Sequence, residues 1–181
     1  MMTWLDRLLQ SWRIAKVRRW LNPSDRVLDV GCFDGALFRR IKSIQSGLGI
    51  DADAEPASIR GIDIRRGTFP GELPAEDSFD VITALAVFEH VARADQAPFI
   101  VACLKLLRQH GRVVLTIPSP KVDRLLPILQ ALHLLHGIRT DEHWGFDPSS
   151  TSGLFEGHGF SLEHHSTFQL GLNHLFVFSA P

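Results

Sequence analysis

Cysteine is scarce in this 181-residue chain: Cys32 and Cys103 are the only two. With no signal-peptide pattern, they read as free thiols in a reducing cytoplasm rather than as a disulfide framework. Charge of one sign is equally short. Nineteen Lys and Arg against 20 Asp and Glu leave a formal net charge of -1 and a pI of about 6.7, so the broad attraction that a non-specific nucleic-acid binder needs is missing. Long apolar runs are missing too. The best of them, LLPILQALHLLHGI from Leu125 to Ile138, is broken by Pro127, Gln130, His133 and His136 and is shorter than the ~20 apolar residues that span a bilayer. No repeat or low-complexity segment occurs. What is present is a 45% hydrophobic composition in a length that fits one globular domain with a full core.

Residues 1–22 carry Arg7, Arg13, Lys16, Arg18 and Arg19 against Asp6 alone, and Trp4, Leu5, Leu8, Leu9 and Trp12 at spacings that form one helical stripe. This predicts a basic amphipathic helix, expected to pack its stripe on the domain, with a membrane surface as the alternative. From Arg26 the pattern alternates between strand and helix: strand RVLDVG, helix from Ala36 to Gln45, strand GLGID, about one helical turn in AEPASIR, and strand GIDIRRG. The loop TFPGELPAEDS leads to the strand FDVITALA, a helix from about Ala94 to Gln109 and the strand GRVVLTIP. A helical insertion over 121–138 and two strands expected to pair antiparallel, FSLEHHSTFQ and NHLFVFSA, complete the chain. Such alternation means an α/β fold with a mainly parallel sheet over residues 23–181.

The stretch VLDVGCFDG, Val27 to Gly35, is a strand running into a glycine turn ahead of a helix. Open α/β sheets build their ligand crevice in this way, at the carboxyl ends of the strands. Phe33 stands where the dinucleotide fingerprint places the middle glycine that approaches a pyrophosphate, and the Lys-Ser/Thr pair of a P-loop is absent. A nicotinamide dehydrogenase is therefore disfavoured. The rim is anionic instead, with Asp29 and Asp34, and Asp51 ends the next strand, where a carboxylate can accept both hydroxyls of a ribose. An ammonium, a ribose and no phosphate describe S-adenosylmethionine.

These segments resemble the class I S-adenosylmethionine-dependent methyltransferases, especially the branch of quinone and small-molecule O-methyltransferases. VLDVGCFDG is similar to the first motif, GID at Asp51 to the second, SFDVITALAVFEHV to the fourth strand and its turn, and LLRQHGRVVLTIPSP to the fifth-strand motif. The resemblance implies a Rossmann-like fold of seven strands in the order 3-2-1-4-5-7-6, the seventh antiparallel, with helices on both faces. It implies that Asp29 and the turn Gly31, Cys32, Phe33 and Gly35 hold the methionine part, that Asp51 holds the ribose, and that Ala52, Gly67 and Thr68 border the adenine. The backbone near Ala84 would face the amino-acid end and the sulfonium. The family usually has an acid at Thr68 and a glycine at Phe33; a threonine hydroxyl still accepts a hydrogen bond.

Each of these residues also has a plainer use. Asp29 could cap a turn, Asp51 could be an N-cap, and Cys32, in acidic surroundings, is a packing residue rather than a nucleophile. For the chemistry, methyl transfer is an in-line displacement that needs the acceptor positioned and, for a hydroxyl, its proton removed. His90 in FEHV and His143 in DEHWGFDP are the candidate bases, the alternative being that Glu89 and His90 anchor the following helix. Ala86 stands where the resembling enzymes commonly carry another carboxylate, so no metal is expected to be required. The acceptor expected is a small molecule, partly hydrophobic if the N-terminal helix and the insertion cap the crevice. A non-catalytic S-adenosylmethionine-binding or partner-activating protein is the alternative.

Overall fold

The computed structural model describes residues 3–71, 73, 78–122 and 146–181. His143 and most of the insertion expected over 121–138 lie outside them. Eight strands form one sheet: β1 (Arg26–Val30), β2 (Ser46–Asp51), β3 (Ala57–Ile59), β4 (Ile62–Arg66), β5 (Phe79–Leu85), β6 (Leu107–Pro118), β7 (Ser161–Phe168) and β8 (Asn173–Ser179). The order is β3-β4-β2-β1-β5-β6-β8-β7. β4, β2, β1, β5 and β6 run parallel, and β8 is antiparallel to both β6 and β7. Apart from β3, this is the predicted order.

The count of seven is corrected by β3, which pairs antiparallel with β4 where about one helical turn was expected. Its cause is local. Arg60 and Gly61 both have positive φ, 53° and 83°, the backbone of a two-residue hairpin that matches strand twist. The Arg60 guanidinium then donates to the carbonyls of Phe38 at 2.7 Å, Ile41 at 3.4 Å and Ile44 at 3.3 Å. Those are carbonyls of the segment expected to be helical as far as Gln45, and the helix α2 stops at Ala36–Arg40. A side chain from the hairpin satisfies groups that a longer helix would have paired itself. The predicted boundary after α3 (Arg93–Leu106) also moves, because β6 begins at Leu107 and absorbs His110 (φ 59°) at an irregularity in its pairing with β5.

Alternation along the strands separates two cores. Leu28, Val30, Ile82, Ala84, Val113, Leu115, Phe176 and Phe178 face α3 and the short helix α4 (Thr151–Glu156), whose Phe155 stacks on Phe178 at 4.4 Å between ring centroids. Val27, Val81, Val114, Leu175 and Val177 face α2 and the N-terminal helix α1 (Trp4–Val17). α1 starts in a capping box: Thr3 Oγ1 accepts from the Asp6 backbone while the Asp6 carboxylate accepts from the Thr3 backbone. The face it buries differs from the predicted one. Ile14 and Val17 enter the core, whereas Trp4, Leu8 and Trp12 are exposed and Leu5 and Leu9 only half-buried. Among the described residues no helix is long and apolar enough to cross a membrane.

Candidate functional site

All five parallel strands end at one edge of the sheet, and the connections that leave them meet there. After β1 the chain turns through Gly31 (φ 72°), Phe33 (φ 44°) and Gly35 (φ 69°). Glycine is needed twice over: a Cβ on Gly31 would run into Val87 Cγ2, and one on Gly35 into Ile59 Cδ1, besides the left-handed backbone that side chains resist. Phe33 adopts that backbone without being glycine and leaves its ring exposed, which costs about 1–2 kcal/mol. Gly31 N donates to Ile50 O at 2.8 Å, so the turn is tied to the end of β2.

Asp51, the last residue of β2, faces this turn. Its Oδ2 accepts from Phe33 N at 3.0 Å and its Oδ1 from Asp53 N at 2.7 Å. Two backbone amides thus fix the carboxylate, and each oxygen keeps a lone pair for a further donor. Ala52 is exposed beside it, and Gly67 N donates to Asp51 O at 3.0 Å, bringing the end of β4 and Thr68 alongside. The structure therefore brings Gly31, Phe33, Gly35, Asp51, Ala52, Gly67 and Thr68 around one crevice. Asp34, on its rim, accepts from Ala36 N at 3.1 Å and from Gln10 Nε2 of α1 at 3.5 Å.

Three other sequence-predicted residues sit deeper. Asp29 is buried on the α1 side of the sheet, accepting from Thr83 Oγ1 at 2.7 Å. Burial pushes its pKa up to about 7, against the help of the Thr83 hydrogen bond and with the added repulsion of Asp51 and Asp34. Cys32 is buried in the core, and burial first, then Asp29 and Asp51, drive its thiol pKa far up; it packs and is no nucleophile. Ala84 lies inside β5, its Cα paired with Val30 and Leu115. The strand continues to Leu85, so the backbone that faces the crevice begins at Ala86 (φ 60°) and Val87.

Beyond that turn a 3-10 segment, Phe88–His90, sends two side chains different ways. His90 lines a cavity of about 660 Å3 with Thr68, Phe69, Pro70, Gly71, Val91, Ala92, Asp95, Pro98 and Phe99. The cavity shares Thr68 with the crevice and adjoins it. Glu89 instead turns inward and is buried, with Oε1 3.9 Å from His90 Nε2 and Oε2 without a hydrogen-bond partner. Burial raises its pKa to about 7, opposed by a backbone hydrogen bond and the nearby positive charge of Arg13. Among the described residues no group of three or more His, Cys, Asp or Glu is placed to hold a metal ion.

Arg13 is the residue that sequence reasoning missed. Counted as one of the helix's surface charges, it lies on the face of α1 that carries Ile14 and Val17, its Nε buried and without a partner. Burial lowers its pKa, and Glu89 and Asp6 oppose that shift. The helix is held over the crevice by Gln169, whose Nε2 donates to Leu9 O at 3.3 Å and whose Oε1 accepts from Asn173. Arg13's position among the inward residues of the helical wheel was the available signal. Arg13 Nε and Glu89 Oε2 are thus two buried polar atoms left without partners near the turn after β5, groups a polar ligand could satisfy.

Comparison with known proteins gives this geometry its relatives. The family described as "Methyltransferase domain" matches residues 2–165. A protein of Mycolicibacterium smegmatis named "Probable S-adenosylmethionine-dependent methyltransferase/" is 33% identical over 147 residues, 74% of this chain and 56% of that protein. The "Ubiquinone biosynthesis O-methyltransferase" of Rhizobium johnstonii is 30% identical over 129 residues, 65% of this chain and 51% of that protein. The chain thus spans about half the length of the curated relatives it matches. Among solved structures, magnesium protoporphyrin IX methyltransferase (ChlM) from Synechocystis PCC 6803 with bound SAH superimposes with a TM-score of 0.68 at 16% identity, covering 100% of this chain and 89% of that one. At that identity the likeness shows the fold alone.

Proposed function

The chain belongs to the methyltransferase-domain family, and from that premise we propose that it binds S-adenosylmethionine in the crevice and methylates a hydroxyl oxygen of a small, partly hydrophobic acceptor. The observation that carries this reading is the Asp51 carboxylate, fixed by Phe33 N and Asp53 N beside the Gly31 turn. It suits a ribose, and the crevice offers no P-loop lysine for a phosphate chain. Arg13, whose Nε is buried without a partner and which lies within electrostatic range of Glu89, suits the carboxylate of the methionine part. Bound there, S-adenosylmethionine supplies an electrophilic methyl group.

The acceptor's place is the cavity beside Thr68 and His90. Phe69, Pro70, Val91, Pro98 and Phe99 give it apolar surface beside the polar Thr68, His90 and Asp95, a lining that suits a ring bearing a hydroxyl. Among the described lining residues His90 is the imidazole; we assign it to take the hydroxyl proton, with Glu89 Oε1 3.9 Å from its Nε2. An O-methyltransferase reading also agrees with the names of the ubiquinone-pathway relatives.

The test is methyl transfer from S-adenosylmethionine labelled in its methyl group to a panel of phenols and catechols. Labelled aryl ether formed by the unmodified protein, and reduced about a hundredfold in His90→Gln, supports the reading. Label transferred only to amines, or no transfer by protein that binds the cofactor, overturns it.

A further inference from the structure

Seven large apolar side chains are exposed among the described residues: Trp4, Leu8, Trp12, Phe33, Val101, Leu162 and Leu170. Five of them gather at the carboxyl edge of the sheet. Phe33 lies in the turn after β1, and Leu170, 97% exposed, tops the β7–β8 hairpin. Trp4, Leu8 and Trp12, at 66, 52 and 44% exposure, occupy one face of α1. The anchors of that helix set its height: Leu9 meets Gln169, next to Leu170; Gln10 meets Asp34, next to Phe33; and Arg19 lower down meets His164 in the middle of β7. α1 thus runs from the Gln169 and Asp34 turns at its Leu9–Gln10 level toward the middle of β7 at Arg19.

The exposed charges that α1 itself carries beside this face are basic, while the acids Asp34 and Asp51 lie on the rim of the crevice. Arg7 and Lys16 flank the Trp4–Leu8–Trp12 stripe on its two sides, at ~100° per residue, and Arg18 and Arg19 continue below it, all four exposed. Asp6, the lone acid of the helix, is occupied in the capping box. We infer that the Trp4–Leu8–Trp12 face of α1, with Leu170 beside it, docks the protein on an anionic lipid bilayer, the helix lying along the surface. Tryptophan and leucine between basic residues are the makings of a helix that lies in the lipid interface. A second copy of this chain would bring the same cations against themselves, and an anionic nucleic acid would leave the apolar stripe in water. The docking does not depend on catalysis, so it stands or falls apart from the methyltransferase reading.

The experiment is flotation of the full chain with vesicles of phosphatidylcholine alone and of equal parts phosphatidylcholine and phosphatidylglycerol, with Trp4→Ala/Trp12→Ala alongside. The inference expects binding to the anionic vesicles at least about tenfold tighter than to the neutral ones, weakened by added salt, and lost about tenfold or more in the double variant. Should the variant fold poorly, tryptophan fluorescence of the unmodified protein supplies the second reading: lipid bearing a bromine quencher in its acyl chain dims it if the face inserts. No flotation with anionic vesicles, flotation unchanged in a folded variant, no quenching, or concentration-dependent dimerisation that covers the same tryptophans would each overturn it.

Discussion

Raising the pH of the cofactor-free protein from about 5 to 8 is expected to destabilise it, because two buried acids, Asp29 and Glu89, keep their protons to about pH 7 in the fold. In the unfolded chain both ionise near pH 4. Between those limits the folded state binds more protons, so stability falls as pH rises. Integrated from about pH 5 to 8, each acid withdraws about 2–3 kcal/mol, and the two, each absent from the other's electrostatic surroundings, should add. For a chain of this length that lowers Tm by about 10 °C or more. His164 and His174, whose pKa values are lowered mainly by burial, act in the opposite sense, removing stability as pH falls through the ordinary histidine range. Thermal unfolding of the unmodified protein, Glu89→Gln and Asp29→Asn across this range separates the contributions, since the histidines are common to all three. Each amide variant should lose about half of the fall. A Tm that is flat or rises with pH, or a slope that neither variant changes, would refute the assignment of buried protonated acids beneath the crevice.

Other outcomes follow from single positions. Gly31→Ala combines a left-handed backbone with a collision at Val87 and should cost about 2–4 kcal/mol in urea unfolding; an unchanged midpoint would mean the turn relaxes freely. Phe33→Gly relieves strain of about 1 kcal/mol and gains about as much unfolded-state entropy, so its stability should stay within about 1 kcal/mol of the unmodified protein. A larger loss would show that the ring packs. Arg13→Gln should weaken S-adenosylmethionine binding about tenfold or more while adenosine, which lacks the carboxylate, binds as before; equal losses for both ligands would place Arg13 in a purely structural role.

Much of this site could be read from the chain because it depends on short local signals. Gly31 and Gly35 announce a turn, Asp51 closes a strand of small and apolar residues, and the alternation of strand and helix fixes which ends face the crevice. What escaped depended on distant partners. β3 replaced a helical turn because the Arg60 side chain finds the carbonyls of Phe38, Ile41 and Ile44, a contact that periodicity does not register. The stripe of α1 was visible, but its facing was not. Apolar spacing shows which residues share a face, and only the tertiary anchors at Leu9, Gln10 and Arg13 show that this face points outward. Arg13 and Glu89 were missed as electrostatic neighbours for the same reason: they are 76 positions apart and come within range only after the helix is laid over the turn that follows β5.

Whether the crevice at Asp51 is an S-adenosylmethionine site is decided by calorimetric titration with S-adenosylmethionine and S-adenosylhomocysteine, beside Asp51→Ala. The unmodified protein should bind both ligands saturably at one site. Asp51→Ala, checked for folding by circular dichroism, should bind about 10–100-fold more weakly, as expected for losing a charged acceptor to two hydroxyls. Absence of binding by folded, unmodified protein, or equal affinity in the variant, would contradict the assignment.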